Sequence, residues 1–309
     1  MNKTKGIIFA LISAITYGIA PILISITYKL GNNSMMMTFL RNFMVLPFLL
    51  IYIAFKGYSL KINKEQLKKL IVISVCGFSA SLVALYSSYK YIPPALASSL
   101  NFVYPTIVAV LSVIVFKEEM SRARKLAVIS SLTGIILFMD FKNGGPNSYI
   151  GIGLALCSGI IFAFYMIYLA KSGILQLPPI VVTFYMSLIS SITMAAVTII
   201  SGNFVPGNIQ TEGWLLILLI SLLVTLLGSM LTQLAVINVG TTVTSIMATF
   251  DPITTIIIGV VFLGEKITHI QLLACILILL AVILLALDQN NMAKKRAKHM
   301  EQYEDIISK

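Results

Sequence analysis

Two charged side chains lie inside long apolar stretches of the sequence. Asp251 stands beside Pro252 in the middle of SIMATFDPITTIIIGVVFLGEK, residues 245–266, and Arg41 lies inside an earlier apolar stretch. A charge near the centre of a bilayer costs about 3 kcal/mol on insertion scales and marks a candidate functional site. Asp251 has two interpretations. It binds a cationic group of a substrate or carries a coupling proton, or it pairs with Arg41 or another helix and is structural.

Arg41 has three possible roles. It could extend to the outer interface, pair with Asp251, or bind a substrate carboxylate. Its position about a turn and a half into its apolar stretch favours a structural or interfacial role. We therefore class Arg41 as structural and Asp251 as the candidate coupling residue.

Aromatic and polar side chains recur at helical spacing around these charges. Ser13, Tyr17 and Pro21 are spaced four residues apart, and Ser158, Phe162 and Tyr165 form a second such stripe. A set of tyrosines with one carboxylate suits an amine, a quaternary ammonium group held by cation–π contacts, or a flat aromatic ring. The candidate substrate-binding residues are Tyr17, Tyr86, Asn101, Tyr104, Phe162, Tyr165, Gln233, Thr244 and Asp251. Within this set, Asn101 and Tyr104 are predicted to share one side of a helix.

The elements that position these residues are predicted to be membrane-spanning helices. The chain has 309 residues, of which 58% are hydrophobic and only 11% charged, with a mean hydropathy of +0.97. Its apolar runs do not alternate as barrel strands do, and they are long enough to span a bilayer. Ten spans are predicted, at residues 5–28, 34–55, 69–90, 93–116, 124–141, 150–170, 178–201, 213–237, 240–263 and 268–288.

The distribution of basic residues predicts the topology. With the N-terminus inside, the inner segments hold 17 Lys and Arg residues and the outer segments hold four. The positive-inside rule then places both termini in the cytoplasm of a multi-pass protein, which we assign to the plasma membrane. The net charge of +11 is accounted for by these segments, so nucleic-acid binding is not expected. The basic tail is expected to be solvated and to meet anionic lipid headgroups.

An internal repeat divides the chain. GIIFALISAI at 6–15 matches GIGLALCSGI at 151–160 at an offset of 145, and residues 98–121 align with 245–268 at an offset of 147. The repeats are predicted at 1–143 and 144–288, followed by a tail at 289–309. Because each repeat has five spans, the second must insert in the inverted orientation, an arrangement typical of secondary transporters with a site at the midplane.

The second alignment pairs one proline and one glutamate in each repeat. Pro105 and Pro252 are predicted as matching helix breaks. Glu118 and Glu265 each precede a Ser or Thr that could cap the next helix, so each carboxylate is expected to face the positive start of that helix. All four residues are therefore classed as structural.

Together these motifs resemble the EamA family of the drug/metabolite transporter superfamily. The helix endings YPTIVAVLSVIVFKEE and DPITTIIIGVVFLGEK match its P-x₁₂-E signature, although the first has no glycine before the glutamate. The resemblance extends to about residue 288. It implies a transporter of small organic solutes, often an exporter of amino acids or related metabolites.

We therefore expect a secondary transporter of a small polar metabolite, foremost an exporter of amino acids or amines, working by alternating access. The alternative is an importer of an organic cation such as choline, held by Asp251 with Tyr17, Tyr86 and Tyr165. The sequence has two histidines and no acidic cluster, so we expect no catalytic centre, metal or cofactor. The expected partners are the substrate, the bilayer and protons as a candidate coupling ion, with the protein a monomer or homodimer.

Overall fold

The computed structural model describes residues 3–116, 121–138 and 146–307, and the regular elements in these ranges are helical. Eight segments are long and apolar enough to cross a membrane. They are Thr4–Lys29, Ser34–Lys56, Lys64–Ser88, Pro94–Leu111, Ser148–Leu169, Pro179–Ile200, Thr211–Thr232 and His269–Asp288. The shorter helices Arg122–Phe138 and Phe250–Leu263 occupy the two remaining predicted positions. The described part of the chain thus confirms the all-α polytopic membrane fold, with eight candidate spans and the shorter apolar helix Phe250–Leu263.

We number the helices along the chain and label two π-helical segments separately. The elements of the first repeat are α1 (Lys3–Lys29), α2 (Ser34–Lys56), α3 (Lys64–Val72), π1 (Ile73–Ser79), α4 (Ala80–Ser88), α5 (Pro94–Asn101), α6 (Tyr104–Phe116) and α7 (Arg122–Phe138). Those of the second are α8 (Pro146–Lys171), α9 (Pro179–Ile200), α10 (Thr211–Ile220), π2 (Ser221–Gly228), α11 (Ser229–Met247), α12 (Phe250–Leu263) and α13 (His269–Ile307). The π-helical segments thus fall at matching positions in the third crossing of each repeat.

The helix ends have local causes. The Asn33 side chain accepts a hydrogen bond from the Met36 backbone N–H at 2.8 Å, which caps the start of α2. Gly57 ends α2 with a φ of 68°, a left-handed conformation that glycine adopts without a steric penalty. Beyond the predicted last span, α13 continues to Ile307 because no glycine or proline interrupts residues 289–307.

The fourth and ninth crossings are each broken in two. The first break, at residues 102–103, separates α5 from α6, and the second, at residues 248–249, separates α11 from α12. Pro105 and Pro252 lie in the first turn of the helix after each break, where a proline loses no helical hydrogen bond. The matched breaks predicted from the prolines are present.

The eighth and ninth crossings are joined through α11. A Cβ built on Gly6 would lie 2.5 Å from Val239 Cγ1, whereas one built on Gly18 would lie 2.5 Å from the Asp251 carbonyl oxygen. Since Gly18 lies more than three turns further along α1, the chain must reverse direction between residues 239 and 251. The helix assigned as α11 therefore contains the end of one crossing and the start of the next.

Two kinds of helix contact join the two repeats. In the first kind, equivalent helices pack together: α2 packs on α9, and α7 packs on α13. By contrast, α1 packs on π2, α11 and α12, while α8 packs on π1, α4, α5 and α6. Each first helix therefore contacts the third and fourth crossings of the other repeat.

The same contacts show that the repeats are inverted. Gly6 at the start of α1 meets Asn238 and Val239, and Gly151 near the start of α8 meets Tyr91 and Ile92. Three crossings separate the start of α1 from the turn at residues 91–92, so these two points lie on opposite membrane faces. It follows that α8 starts on the face opposite to α1.

Candidate substrate-binding site

A cavity of about 280 Å³ lies between the two repeats, at the level of the helix breaks. The first repeat lines it from α1, α2, π1, α4 and α5, and the second repeat lines it from α8, α9, π2, α11 and α12. A cleft at the interface of inverted repeats, beside broken helices, is where secondary transporters bind their substrates.

Asp251 lines this cavity from the first turn of α12. Its negative charge therefore lies near the positive end of a helix, which partly offsets the cost of burial. Within the described residues, the carboxylate makes no ion pair and no hydrogen bond. The carboxylate is thus available to a ligand in the cavity.

Arg41 lines the same cavity from α2 and is only 6% exposed. Its Nε donates a hydrogen bond to Thr225 Oγ1 at 2.9 Å, and one of its terminal nitrogens donates to the Tyr86 hydroxyl. The Tyr86 backbone carbonyl in turn accepts a hydrogen bond from the Tyr28 hydroxyl at 2.9 Å. The guanidinium is therefore held at a defined position in the cavity wall.

Aromatic rings form one side of the cavity. The Phe162 ring lies 5.1 Å from the Tyr165 ring, and Tyr165 lies 6.0 Å from Phe78. Tyr165 fits closely because Gly77 has no side chain, and Tyr17 packs similarly against Gly228. The wall offers ring faces and edges to a ligand.

A hydrogen-bond network holds Asn101 at the end of α5. Its Nδ2 donates to Ser158 Oγ at 2.8 Å, and Ser158 Oγ donates to the Ser81 carbonyl at 2.9 Å. The first helix of the first repeat makes a similar bond: Ser13 Oγ donates to the Gly228 carbonyl of the second repeat at 3.0 Å. Ser13 and Ser158 occupy equivalent repeat positions, so both hydrogen bonds stabilise the same type of contact between repeats.

The sequence profile of the EamA-like transporter family matches residues 4–139 and 149–287, one copy in each repeat. The chain belongs to the EamA-like transporter family. This confirms the resemblance seen in the sequence.

Related EamA-type proteins carry only general names. The uncharacterized transporter sll1319 of Synechocystis sp. (strain ATCC 27184 / PCC 6803 / Kazusa) is 28% identical over 217 residues, covering 68% of this chain and 64% of that protein. The uncharacterized transporter YyaM of Bacillus subtilis (strain 168) is 22% identical over 72% of this chain and 75% of that protein. A solved crystal structure with 16% identity has a TM-score of 0.66 and covers 94% of this chain and 99% of that one. The last comparison shows the fold alone.

Most of the predicted EamA-type site residues come together at the cavity. Six of the nine line it, namely Tyr17, Tyr86, Asn101, Phe162, Tyr165 and Asp251. Thr244 is buried but lies two helical turns before Asp251, outside the lining. The side chain of Gln233 lies outside the described residues.

Tyr104 is not a lining residue. Its ring packs edge-on against Phe162, with 4.7 Å between ring centres. The break at residues 102–103 separates Tyr104 from Asn101, so the two do not share a helix face as predicted. Tyr104 therefore contacts the aromatic wall through Phe162.

The prediction for Arg41 requires a correction. Because its guanidinium is buried in the cavity wall, Arg41 does not extend to the outer interface, and it forms no ion pair with Asp251. The apolar sequence around Arg41 did not indicate that its guanidinium lies in a cavity wall. An alignment of α2 with α9 would have helped. It matches Ser34 with Pro179 and Thr38 with Thr183, and it places Arg41 at the position of Met186, another residue that lines the cavity.

The prediction for Glu265 was wrong in its local detail. Its carboxylate packs against Gly259 and the Ala95 end of α5, in the other repeat, and not against the start of α13. The start of α13 is capped by Thr268, which accepts a hydrogen bond from the Gln271 backbone N–H at 3.2 Å. Glu118, its partner in the EamA signature, lies outside the described residues.

Several lining residues carried no signal in the sequence alone. Thr183, Met186 and Ser187 face the cavity from α9, and Thr225 and Ser229 face it from π2 and α11. Such small polar or apolar residues are common on membrane helices at contacts between helices. Only their position in the cavity wall distinguishes them.

Proposed function

We propose that this chain is a secondary transporter of a small amine-bearing metabolite, foremost an exporter of amino acids or related amines. The observation that carries the proposal is the Asp251 carboxylate, which lines an aromatic cavity between the repeats without a protein partner among the described residues. An ammonium group would supply the missing charge, and the neighbouring rings would contact its apolar part.

The proposed mechanism is alternating access. The two inverted repeats would rock around the cavity and expose it first to one membrane face and then to the other. Basic residues concentrated on one side favour cytoplasmic termini and a plasma-membrane location. Protons are the candidate coupling ion, with Asp251 as their carrier, and the protein would act without catalysis as a monomer or homodimer.

A second candidate function is the import of an organic cation such as choline. Tyr17, Tyr86 and Tyr165 line the cavity with Asp251, and aromatic rings around a carboxylate suit a quaternary ammonium. However, the Tyr86 hydroxyl is bonded to the Arg41 guanidinium. The fixed positive charge beside one wall of this cage favours the amino acid over choline.

The test is a thermal-stability screen of the purified protein, followed by flux measurements in proteoliposomes. A ligand that binds the folded state raises the melting temperature by mass action. We expect shifts with amino acids or amines, and clearly smaller shifts and lower flux with Asp251→Asn at the same ligand concentration. If the Asp251→Asn variant bound every amine as tightly as the unmodified protein does, Asp251 would have no role in recognition and the proposal would fail.

A further inference from the structure

Arg41 has an unusual electrostatic environment for a buried arginine. Its hydrogen bonds to Thr225 and Tyr86 both use neutral acceptors, and the remaining guanidinium N–H groups have no acceptor among the residues that the structure describes. No carboxylate among the described residues forms an ion pair with it. A buried charge without a counter-charge is costly, so such a group is retained where something else supplies the opposite charge.

Asp251 is the opposite case in the same cavity. It also lacks an ion-pair partner among the described residues, and it enters from the second repeat, whereas Arg41 enters from the first. Tyr17 packs against Gly228, one turn from the Thr225 that bonds Arg41. The adjacent Gly18 approaches the Asp251 carbonyl oxygen, so both charged residues lie near Tyr17. The cavity therefore contains one positive and one negative charge that do not neutralise each other directly.

We infer that Arg41 binds the carboxylate of the substrate, so that this transporter selects zwitterions over amines and quaternary ammonium ions. The inference rests on the proposed function, because it assumes that Asp251 binds the ammonium group. A guanidinium binds a carboxylate through two parallel hydrogen bonds, which gives both strength and direction.

Two-point recognition has a geometric consequence. The carboxylate on Arg41 and the ammonium on Asp251 fix the α-carbon, and the side chain is left to contact the wall formed by Phe78, Phe162 and Tyr165. A simple amine would leave the Arg41 charge unpaired. Choline would do the same, because it also lacks a carboxylate. Each should bind less tightly than the amino acid.

The binding test uses compounds that share one side chain. Thermal shifts of the purified protein are measured with the twenty proteinogenic amino acids, and the best binder is compared with three analogues. For leucine these are 3-methylbutylamine, leucinamide and 4-methylpentanoate, and choline is added to the series. We expect the amino acid to bind at least tenfold more tightly than each analogue and choline.

The variant test separates recognition from structure. Arg41→Met introduces the residue found at the equivalent position of the second repeat. It should weaken binding of the amino acid at least tenfold while leaving binding of the amine unchanged, so the preference for the zwitterion disappears. Lys29→Met removes an exposed positive charge outside the cavity and should change neither affinity.

A structural role for Arg41 would give a different pattern. Arg41→Met would then lower the melting temperature of the ligand-free protein and weaken both ligands equally. That result would overturn the inference, as would equal binding of amine and amino acid by the unmodified protein. If Arg41→Met does not fold, the unmodified protein and the milder Arg41→Lys variant still decide the question, since lysine keeps the charge but loses the paired hydrogen bonds.

The failures of the two proposals are distinguishable. If choline or the amine binds best and Asp251→Asn abolishes that binding, the inference about Arg41 is wrong while Asp251 keeps its proposed role. If no amine or amino acid binds at all, the proposed function fails and this inference fails with it.

Discussion

The first helix of each repeat begins against the turn that follows the third crossing of the other repeat. Gly6 and Gly151 make these equivalent contacts, and Ser13 and Ser158 make equivalent hydrogen bonds further along. The charged residues do not follow this symmetry. Arg41 stands where the second repeat has Met186, and Asp251 stands where the first has Tyr104. The repeats thus share the contacts of their first helices, and differ in the charged residues that line the cavity.

A close approach between α1 and α12 provides the strongest test of the difference between the repeats. A Cβ on Gly18 would lie 2.5 Å from the Asp251 carbonyl and 2.6 Å from Thr254 Cβ, while the equivalent Ala163 is fully buried and accommodates its methyl group. We expect Gly18→Val to lower the free energy of unfolding by about 3 kcal/mol or more through overpacking. Ala163→Gly should cost only about 1 kcal/mol.

Both variants can be compared by thermal unfolding and size-exclusion chromatography in detergent. Equal losses of stability in the two variants would show that α1 and α8 approach their partners equally closely, contrary to the structure.

The pair Asp251 and Tyr104 tests where the repeats differ in binding. Asp251→Asn removes a charge-assisted hydrogen bond worth roughly 1.5–3 kcal/mol, which corresponds to a loss of affinity of about 10- to 100-fold. Tyr104→Phe should change the affinity by less than about threefold, since Tyr104 contacts the aromatic wall through Phe162 and the change corresponds to under ~0.6 kcal/mol.

Isothermal titration with the best amine-bearing ligand measures both effects. A large loss of affinity in Tyr104→Phe with normal folding would place that hydroxyl in the binding site and restore the symmetry between the repeats.

The two serines test where the repeats are alike. Ser13→Ala and Ser158→Ala each remove a hydrogen bond between repeats, worth about 0.6 kcal/mol in membrane proteins. The two serines differ in their second hydrogen bond: Ser13 bonds Thr232 Oγ1 at 2.6 Å, whereas Ser158 accepts from Asn101, a cavity-lining residue, at 2.8 Å. Ser158→Ala therefore breaks a link to the cavity wall. Only this variant should also weaken ligand binding, which thermal melts with and without ligand would detect. If Ser13→Ala weakened binding more, Asn101 would not be the link between this network and the cavity.

The smallest expected effect concerns Glu265, whose carboxylate lies at a seam between the repeats. Both its oxygens are buried without a hydrogen-bond partner among the described residues, and burial raises the pKa of this carboxyl. The Ala95 backbone N–H is near and partly opposes the shift. Since the folded protein binds this proton more tightly than the unfolded chain, stability falls as the pH rises through the folded-state pKa.

Replacement of Glu265 by Gln removes this penalty. The melting temperature of Glu265→Gln should exceed that of the unmodified protein by a few degrees at pH 8, and the difference should shrink as the pH falls towards the ordinary glutamate pKa of about 4.5. A difference that increased on acidification would mean that the ionised carboxylate is stabilised in the folded state.

Much of the fold could be predicted because membrane insertion depends on local properties. An apolar run of about 20 residues must form a helix in lipid, where its backbone groups have no other partner. Pro105 and Pro252 indicated the breaks for the same local reason. The turn inside α11 and the extension of α13 were less accessible, since neither region contains a residue that ends a helix.

The candidate site was predicted less completely. Tyr17, Phe162 and Tyr165 could be grouped because helical spacing and the repeat align them. Arg41 could not be placed, because three roles were consistent with its depth and the choice depends on what surrounds it. Tyr104 was misplaced because the backbone break changes which residues share a face.

The amino-acid sequence by itself determined the all-helical membrane class, the repeat with its paired breaks, and the presence of one acid and one base among apolar residues. These follow from hydropathy, charge and proline chemistry, all of which act locally. Only the tertiary structure decided that Arg41 and Asp251 face one cavity, that Tyr86 and Thr225 hold the guanidinium, and that Glu265 contacts the other repeat. These relations depend on which faces of the apolar helices pack together, and in lipid that choice depends on close packing and hydrogen bonds between distant residues, which hydropathy does not encode.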